Sequence, residues 1–232
     1  TDIRSNNCEA IQKFYPVSGE IDFSAIIEDN LSGVVVVRFN IRKVGSNGCT
    51  HSSVYRSKNV TMTKGDDGRW SGKFDTTNIP NDGEYTIQLT AKDNSGNETI
   101  KYVDILVDNT APEINITPSR QPDVGKWYST RPSYSNTHPT IELSTNEETT
   151  IEYKWDGASD WEVYSSVINT SVLTNGEHTL YVKATDLAGN PNTAEFTIWL
   201  DFSNPEGEMS IEETNGFVSD DMTINFSNVH DP

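Results

Sequence analysis

The sequence predicts an all-β fold built of tandem β-sandwiches, and three observations carry that expectation. No window keeps apolar residues at i, i+3, i+4 and i+7 for three turns, so amphipathic helices are not expected. Short stretches of apolar–polar alternation recur, bounded by Gly, Asn, Asp or Pro. The word AKDNSGN at 91–97 returns as ATDLAGN at 184–190, an offset of 93 residues. The offset outlasts the word. Gly83-Glu84 aligns with Gly176-Glu177, Thr86 with Thr179, Asp108 with Asp201 and Pro112 with Pro205, all without a gap. A fixed period marks a repeated structural unit.

The elements follow in order. GEIDFSAII (19–27) alternates Ile21, Phe23, Ala25 and Ile27 against polar partners, and VVVVRFNIRKV (34–44) is long and β-branched. RWSGKFDT (69–76) sets Trp70 among small residues. EYTIQLTAK (84–92) puts Tyr85, Ile87, Leu89 and Ala91 on one face, and IKYVDILV (100–107) follows. Such alternation is that of half-buried antiparallel strands. The second unit repeats the plan with strands expected at 139–145, 149–155, 161–164, 166–173, 177–185 and 194–200. The recurring word falls between the last two strands of each unit. Its Asp can bond the backbone that follows and its Gly accepts positive φ, so it reads as a tight hairpin turn.

Boundaries are legible. VDNTAPEINI (107–116) and LDFSNPEGEMSI (200–211) each place Asp after the last strand and Pro four residues later. Proline stiffens a short linker and stops the strand from running on. The expected domains are 1–109, 110–201 and an incomplete third unit at 202–232, with strands at 208–213 and 222–227. Two lone strands are marginal in water. Either the same chain continues and covers them, which is the simpler expectation, or a neighbouring molecule donates strands.

Charge excludes several functions. Lys+Arg is 17 against 35 Asp+Glu, a formal net charge of −18. Nucleic acid and anionic membranes are poor partners for such a surface, whereas cations suit it. No apolar run approaches the length of a membrane span. The four histidines, His51, His138, His178 and His230, stand at no metal spacing from one another. There is no phosphate loop, nucleophile elbow or nominated carboxylate pair, so no catalytic residue is assigned and no enzymatic activity is expected.

The words AKDNSGNET, VDNTAPEI, KWYSTRP, IEYKWDG and EHTLYVKATDLAGN resemble those of tandem bacterial and archaeal Ig-like domains of secreted and cell-surface proteins. The resemblance covers almost the whole chain. It implies tandem immunoglobulin-like sandwiches, an extracellular or cell-surface location, and a structural or adhesive role such as an adhesin stalk, S-layer piece or spacer. Protein partners or self-assembly at the cell surface follow from it. The insert RKVGSNGCTHSSVYRSKNV (42–60) departs from the pattern. For Cys8 and Cys49 two readings stand, free thiols in a cytosolic protein or one disulfide in domain one. The extracellular reading favours the disulfide.

Calcium is the candidate cofactor. A sandwich brings the end of its last strand beside the loop preceding the second-to-last, which places Asp108 near Asn81-Asp82. With Glu147, Glu148 and Asp186 from the next domain, these acids form a candidate Ca²⁺ site at the domain junction. The alternative is that Asp93 and Asp186 only cap their turns and the other acids are solvated. Sequons place candidate glycosylation at Asn30, Asn59, Asn97, Asn115, Asn169 and Asn225, a number that composition alone gives by chance. Trp127, Tyr128, Trp155 and Trp161 either pack a thin core or stack on sugars. The leading functional expectation is therefore a structural segment. A carbohydrate- or receptor-binding accessory module is its rival.

Overall fold

The alternating stretches become strands in a computed structural model that describes residues 14–43, 57–129, 138–211 and 224–230. The first sandwich contains β1 (Tyr15–Val17), β2 (Glu20–Ile26), β3 (Val34–Lys43), β4 (Val60–Thr61), β5 (Thr63–Lys64), β6 (Arg69–Asp75), β7 (Gly83–Asp93) and β8 (Glu98–Val107). One sheet runs β1-β8-β7-β3-β4 and the other β2-β6-β5. Every pairing is antiparallel except that of β1 with β8, which is parallel. Val37, Phe39, Ile41, Trp70, Tyr85, Ile87, Ile105 and Val107 are buried in one cluster, with Phe23, Leu89 and Ala91 packed against it. The alternation expected along β7 thus points its apolar row inward. The opposite row is also buried but polar: Thr86, Gln88 and Thr90 lie there, and Thr86 Oγ1 donates to Asp104 Oδ1 at 2.8 Å. A buried hydroxyl needs such an acceptor.

The second sandwich contains β9 (Ile114–Pro118), β10 (Trp127–Ser129), β11 (Thr140–Thr145), β12 (Thr149–Trp155), β13 (Glu162–Val163), β14 (Ile168–Asn169), β15 (Gly176–Asp186) and β16 (Pro191–Asp201). Its sheets run β10-β16-β15-β12-β13 and β14-β11-β9. Ile141, Leu143, Ile168, Leu180 and Val182 form one buried cluster, and Tyr128, Ile198 and Leu200 another. After it, β17 (Glu206–Ile211) and β18 (Ile224–His230) pair antiparallel as a two-stranded sheet.

The chain divides into two compact units. The first is Thr1–Pro112 with Glu147–Thr149 and Thr185–Asn192; the second is Glu113–Asn146, Thr150–Ala184 and Thr193–Pro232.

The two sandwiches repeat the five-stranded sheet and its turns, while the smaller sheets differ, β5 lying on β6 in the first and β9 on β11 in the second. Strand β10 pairs parallel with β16, as β1 does with β8. Both β7 and β15 begin with glycine at φ 129°, Gly83 and Gly176. A single 3₁₀ turn precedes each. Asp75 Oδ1 accepts from Thr77 N at 3.0 Å in the first, and Asn169 Oδ1 from Ser171 N at 2.9 Å in the second. The strand expected over 166–173 is accordingly only two residues long. Asn169 caps the turn, and buried Thr170 donates from Oγ1 to Pro139 O at 2.7 Å, so the backbone leaves the sheet there. The corner before β7 is closed by Tyr85 Oη donating to Asn81 O at 2.7 Å, the tyrosine-corner device of such sandwiches. In the second copy, His178 stands there, with Nε2 2.9 Å from Thr174 O.

Candidate functional site

The recurring word builds one turn twice. Asp93 Oδ1 accepts from Asn97 N at 2.8 Å and Oδ2 from Asn97 Nδ2 at 2.8 Å, while Asp93 N donates to Asn97 O at 3.1 Å. Asp186 repeats this with Asn190 at 2.8, 2.7 and 3.2 Å, and its Oδ1 also accepts from Gly189 N at 2.7 Å. The glycines, Gly96 and Gly189, stand at φ 90° and 97°. A carboxylate locked by its own turn needs no cation to be satisfied, which is the capping role weighed for both aspartates.

The second turn does more. Asp186 is buried and, within the first unit, lies with Asp108 and Glu147 so that one carboxylate oxygen from each falls within 4.8 Å of the others. Removal from water, followed by the nearby charges of Asp108 and Asp186, holds the Glu147 carboxyl above its ordinary pKa. The structure thus brings together three of the five acids singled out. Exposed Glu148 is not in the group. Asp82 is not either: it pins the linker, accepting at Oδ1 from Asn109 N (3.0 Å) and at Oδ2 from Thr110 Oγ1 (2.5 Å).

Asn109 completes that anchorage. Its Oδ1 accepts from Thr76 Oγ1 at 2.7 Å and from Gly19 N at 3.2 Å. Asp108 N donates to Val17 O at 3.0 Å. From the turn, Asn190 Nδ2 donates to Asp108 O at 2.8 Å, and Asn192 Nδ2 to Pro112 O at 2.8 Å. Sequence reasoning singled out the acids and missed Asn109, Asn190 and Asn192. The signal available was Asn at the last position of both words.

The other candidates are spread over the surface. Asn30, Asn59, Asn97, Asn115 and Asn169 are exposed; the side chain of Asn225 lies outside the described residues. Cys8 and Cys49 also lie outside them, as does most of the 42–60 insert. Tyr128 is buried and Trp155 packs on the second core, whereas Trp127 and Trp161 are 38% and 37% exposed. Neither ring is bare: Lys126 Nζ stands 5.6 Å from the Trp127 centroid, and Lys154 and Lys183 stand 5.2 and 5.3 Å from that of Trp161. Among the described residues, no helix is long and apolar enough to cross a membrane.

Residues 68–130 match the family model for the bacterial Ig-like domain (group 3). The chain resembles bacterial Ig-like domains. The match runs from β6 into β10 and covers about a quarter of the sequence. Solved structures with a similar fold include a Ca²⁺-stabilised adhesin of an Antarctic bacterium that binds ice, at 15% identity and TM-score 0.41, over 86% of this chain and 49% of that one. The chain therefore spans about half of that adhesin structure. Fibronectin(III)-like modules of Clostridium thermocellum CbhA match at 14% identity and TM-score 0.38, over 87% and 94%. A tetra-tandem repeat from the extending region of a large adhesion protein matches at 17% and 0.34, over 92% and 52%. No curated protein matches the sequence. The fold is that of tandem Ig-like sandwiches.

Proposed function

We propose that the chain is a structural and adhesive segment of a large extracellular or cell-surface protein: a stalk, S-layer or filament component. The observation that carries this reading is the repeat. Two Ig-like sandwiches in one chain share the order of the five-stranded sheet, parallel terminal pairing, capped 3₁₀ turn and Asp–Asn turn, while the edge strand of the smaller sheet differs. Copying a scaffold down to its turn hydrogen bonds supplies length and stiffness. The domains under this reading are 1–109 and 110–201, with 202–232 opening a third.

Calcium is the proposed ligand of Asp108, Glu147 and Asp186. In support, the three carboxylates converge and repel one another, and a hard cation takes oxygen ligands. Backbone carbonyls and water would supply the remaining oxygens. A Cys8–Cys49 disulfide fits an oxidising location, and the mass of the unreduced chain after thiol alkylation tests it.

The rival reading, a carbohydrate- or receptor-binding module, is favoured by the exposure of Trp127 and Trp161. The lysines over those rings count against sugar stacking on them. One experiment separates the two. In the parent protein, this segment is exchanged for the same number of unrelated Ig-like repeats, and attachment of intact cells is measured. Retained attachment supports a spacer; lost attachment with unchanged surface display means that the segment itself binds.

A further inference from the structure

The two Asp–Asn turns hold different things. At the β15–β16 turn, Asn190 Nδ2 donates to Asp108 O at 2.8 Å and to Thr110 O at 3.3 Å, and Asn192 Nδ2 to Pro112 O at 2.8 Å. That turn is a seat for an extended linker, Asp108–Pro112. At the β7–β8 turn, Asp93 and Asn97 make the same bonds, the Asn97 amide donating to Asp93 as that of Asn190 does to Asp186, but among the described residues the exposed Asn97 amide meets no linker carbonyl.

A groove of about 490 Å³ opens there. Among its lining residues are Asp93, Asn97 and Thr99, which one repeat offset carries onto Asp186, Asn190 and Asn192. Its apolar floor includes Ile26, 63% exposed, and Leu89. Its charged lining is mixed: Glu28, Asp29 and Asp93 stand with Lys92, which pairs with Glu98 at 3.8 Å, and with Lys101, which has no ion pair among the described residues and is the cation left for a linker that carries Asp108 and Glu113.

We infer that this groove is a seat for the linker of another Ig-like repeat, an extended acidic peptide of the Asp-Asn-Thr-Ala-Pro-Glu type. The occupant is argued from the chain itself, which shows such a segment on the equivalent turn. The Asn97 amide would donate to its carbonyls, and Lys101 would meet its carboxylates. Thr99 offers a hydroxyl where Asn192 offers an amide, so the contact to the proline carbonyl is the one most altered. The inference rests on the tandem-repeat reading above.

The test titrates the isotope-labelled full-length chain with a synthetic peptide of residues 106–116 and follows its amides by NMR. Saturable shifts at Asp93, Asn97 and Thr99 are expected. Lys101→Glu and Asn97→Ala should each weaken the response about fivefold, the equivalent of one hydrogen bond. The Lys101 variant guards against the Asn97 variant simply loosening the turn. Absence of shifts at millimolar peptide, an equal response to a scrambled peptide, or shifts confined to 186–192 would overturn the inference. None of these outcomes bears on attachment after segment exchange, so the two proposals fail separately.

Discussion

At Glu147, burial and two neighbouring carboxylates act in the same direction, and the folded protein holds this proton more tightly than the unfolded chain does. The sign follows: the contribution is fully present below the ordinary glutamate pKa and is lost as pH rises through the elevated folded value. Asp29, Asp75 and Asp93 behave oppositely. Side-chain hydrogen bonds from Ser32, Thr77 and Asn97 hold them below 3.8, so their contributions vanish as pH falls through those lowered values. At neutral pH in chelator, Glu147→Gln should therefore raise the thermal midpoint of the first unit. Calcium should stabilise the native protein by about 2.7 kcal/mol at a hundredfold excess over Kd, and that gain should shrink or disappear in the variant. Calorimetry with and without calcium reads both; an unchanged calcium response in Glu147→Gln would remove this carboxylate from the site. At Tyr85 the expectation is simpler. Tyr85→Phe leaves Asn81 O without its 2.7 Å donor and should cost about 1 kcal/mol by denaturant titration.

Among the elements, β7 and β15 start on the same unusual backbone. Gly83 and Gly176 stand at φ 129°, with open space around each Cα. The penalty of adding a methyl group is thus conformational rather than steric crowding by neighbours. Gly83→Ala and Gly176→Ala should each destabilise their own sandwich by roughly 1–3 kcal/mol, and by similar amounts. Equal tolerance of alanine at both positions would show that the entry to these strands relaxes. Long strands were legible because half-burial writes a period of two into the sequence, as along β2 and β7. Strands β1 and β10 were not, since three residues carry no period and their pairing is set by the distant β8 and β16. Of the candidate metal site, Asp108 and Asp186 were legible from linker and turn chemistry. The reach of Asn190 to Asp108 O was not, because its own word encodes only the local turn.

For the whole molecule, the cores are separate clusters, so damage should stay local. Phe39 is 1% exposed in the first core and Leu180 is fully buried in the second. Phe39→Ala should cost about 3–5 kcal/mol and Leu180→Ala about 2–5 kcal/mol. Hydrogen exchange should accelerate along β3 and β7 for the first variant and along β12 and β15 for the second. Distant sites with no shared partner add independently. Acceleration of every strand by either variant would instead make the chain a single cooperative body.

The parallel pairing of β1 with β8 sets how a stretched chain would fail. Strand β1 lies near the entry of its sandwich and β8 at its exit, and the two run the same way. Tension applied at the two ends drags these strands past each other in opposite directions, loading their hydrogen bonds together instead of one at a time. The clamp spans Tyr15↔Ile105, Pro16↔Leu106 and Val17↔Val107 in the first sandwich, and Trp127↔Trp199, Tyr128↔Leu200 and Ser129↔Asp201 in the second. Val17 O accepts from Asp108 N at 3.0 Å, so the backbone of Val17 faces β8 and that of the alternating Pro16 faces away, and the missing proline N–H costs the first clamp no bond. Under rising force the first sandwich should rupture in a single step; Pro16→Ala should leave that force unchanged in a pulling trace, whereas Val17→Pro, which removes an N–H facing β8, should lower it. Built this way, the first sandwich meets tension by shear rather than by unzipping.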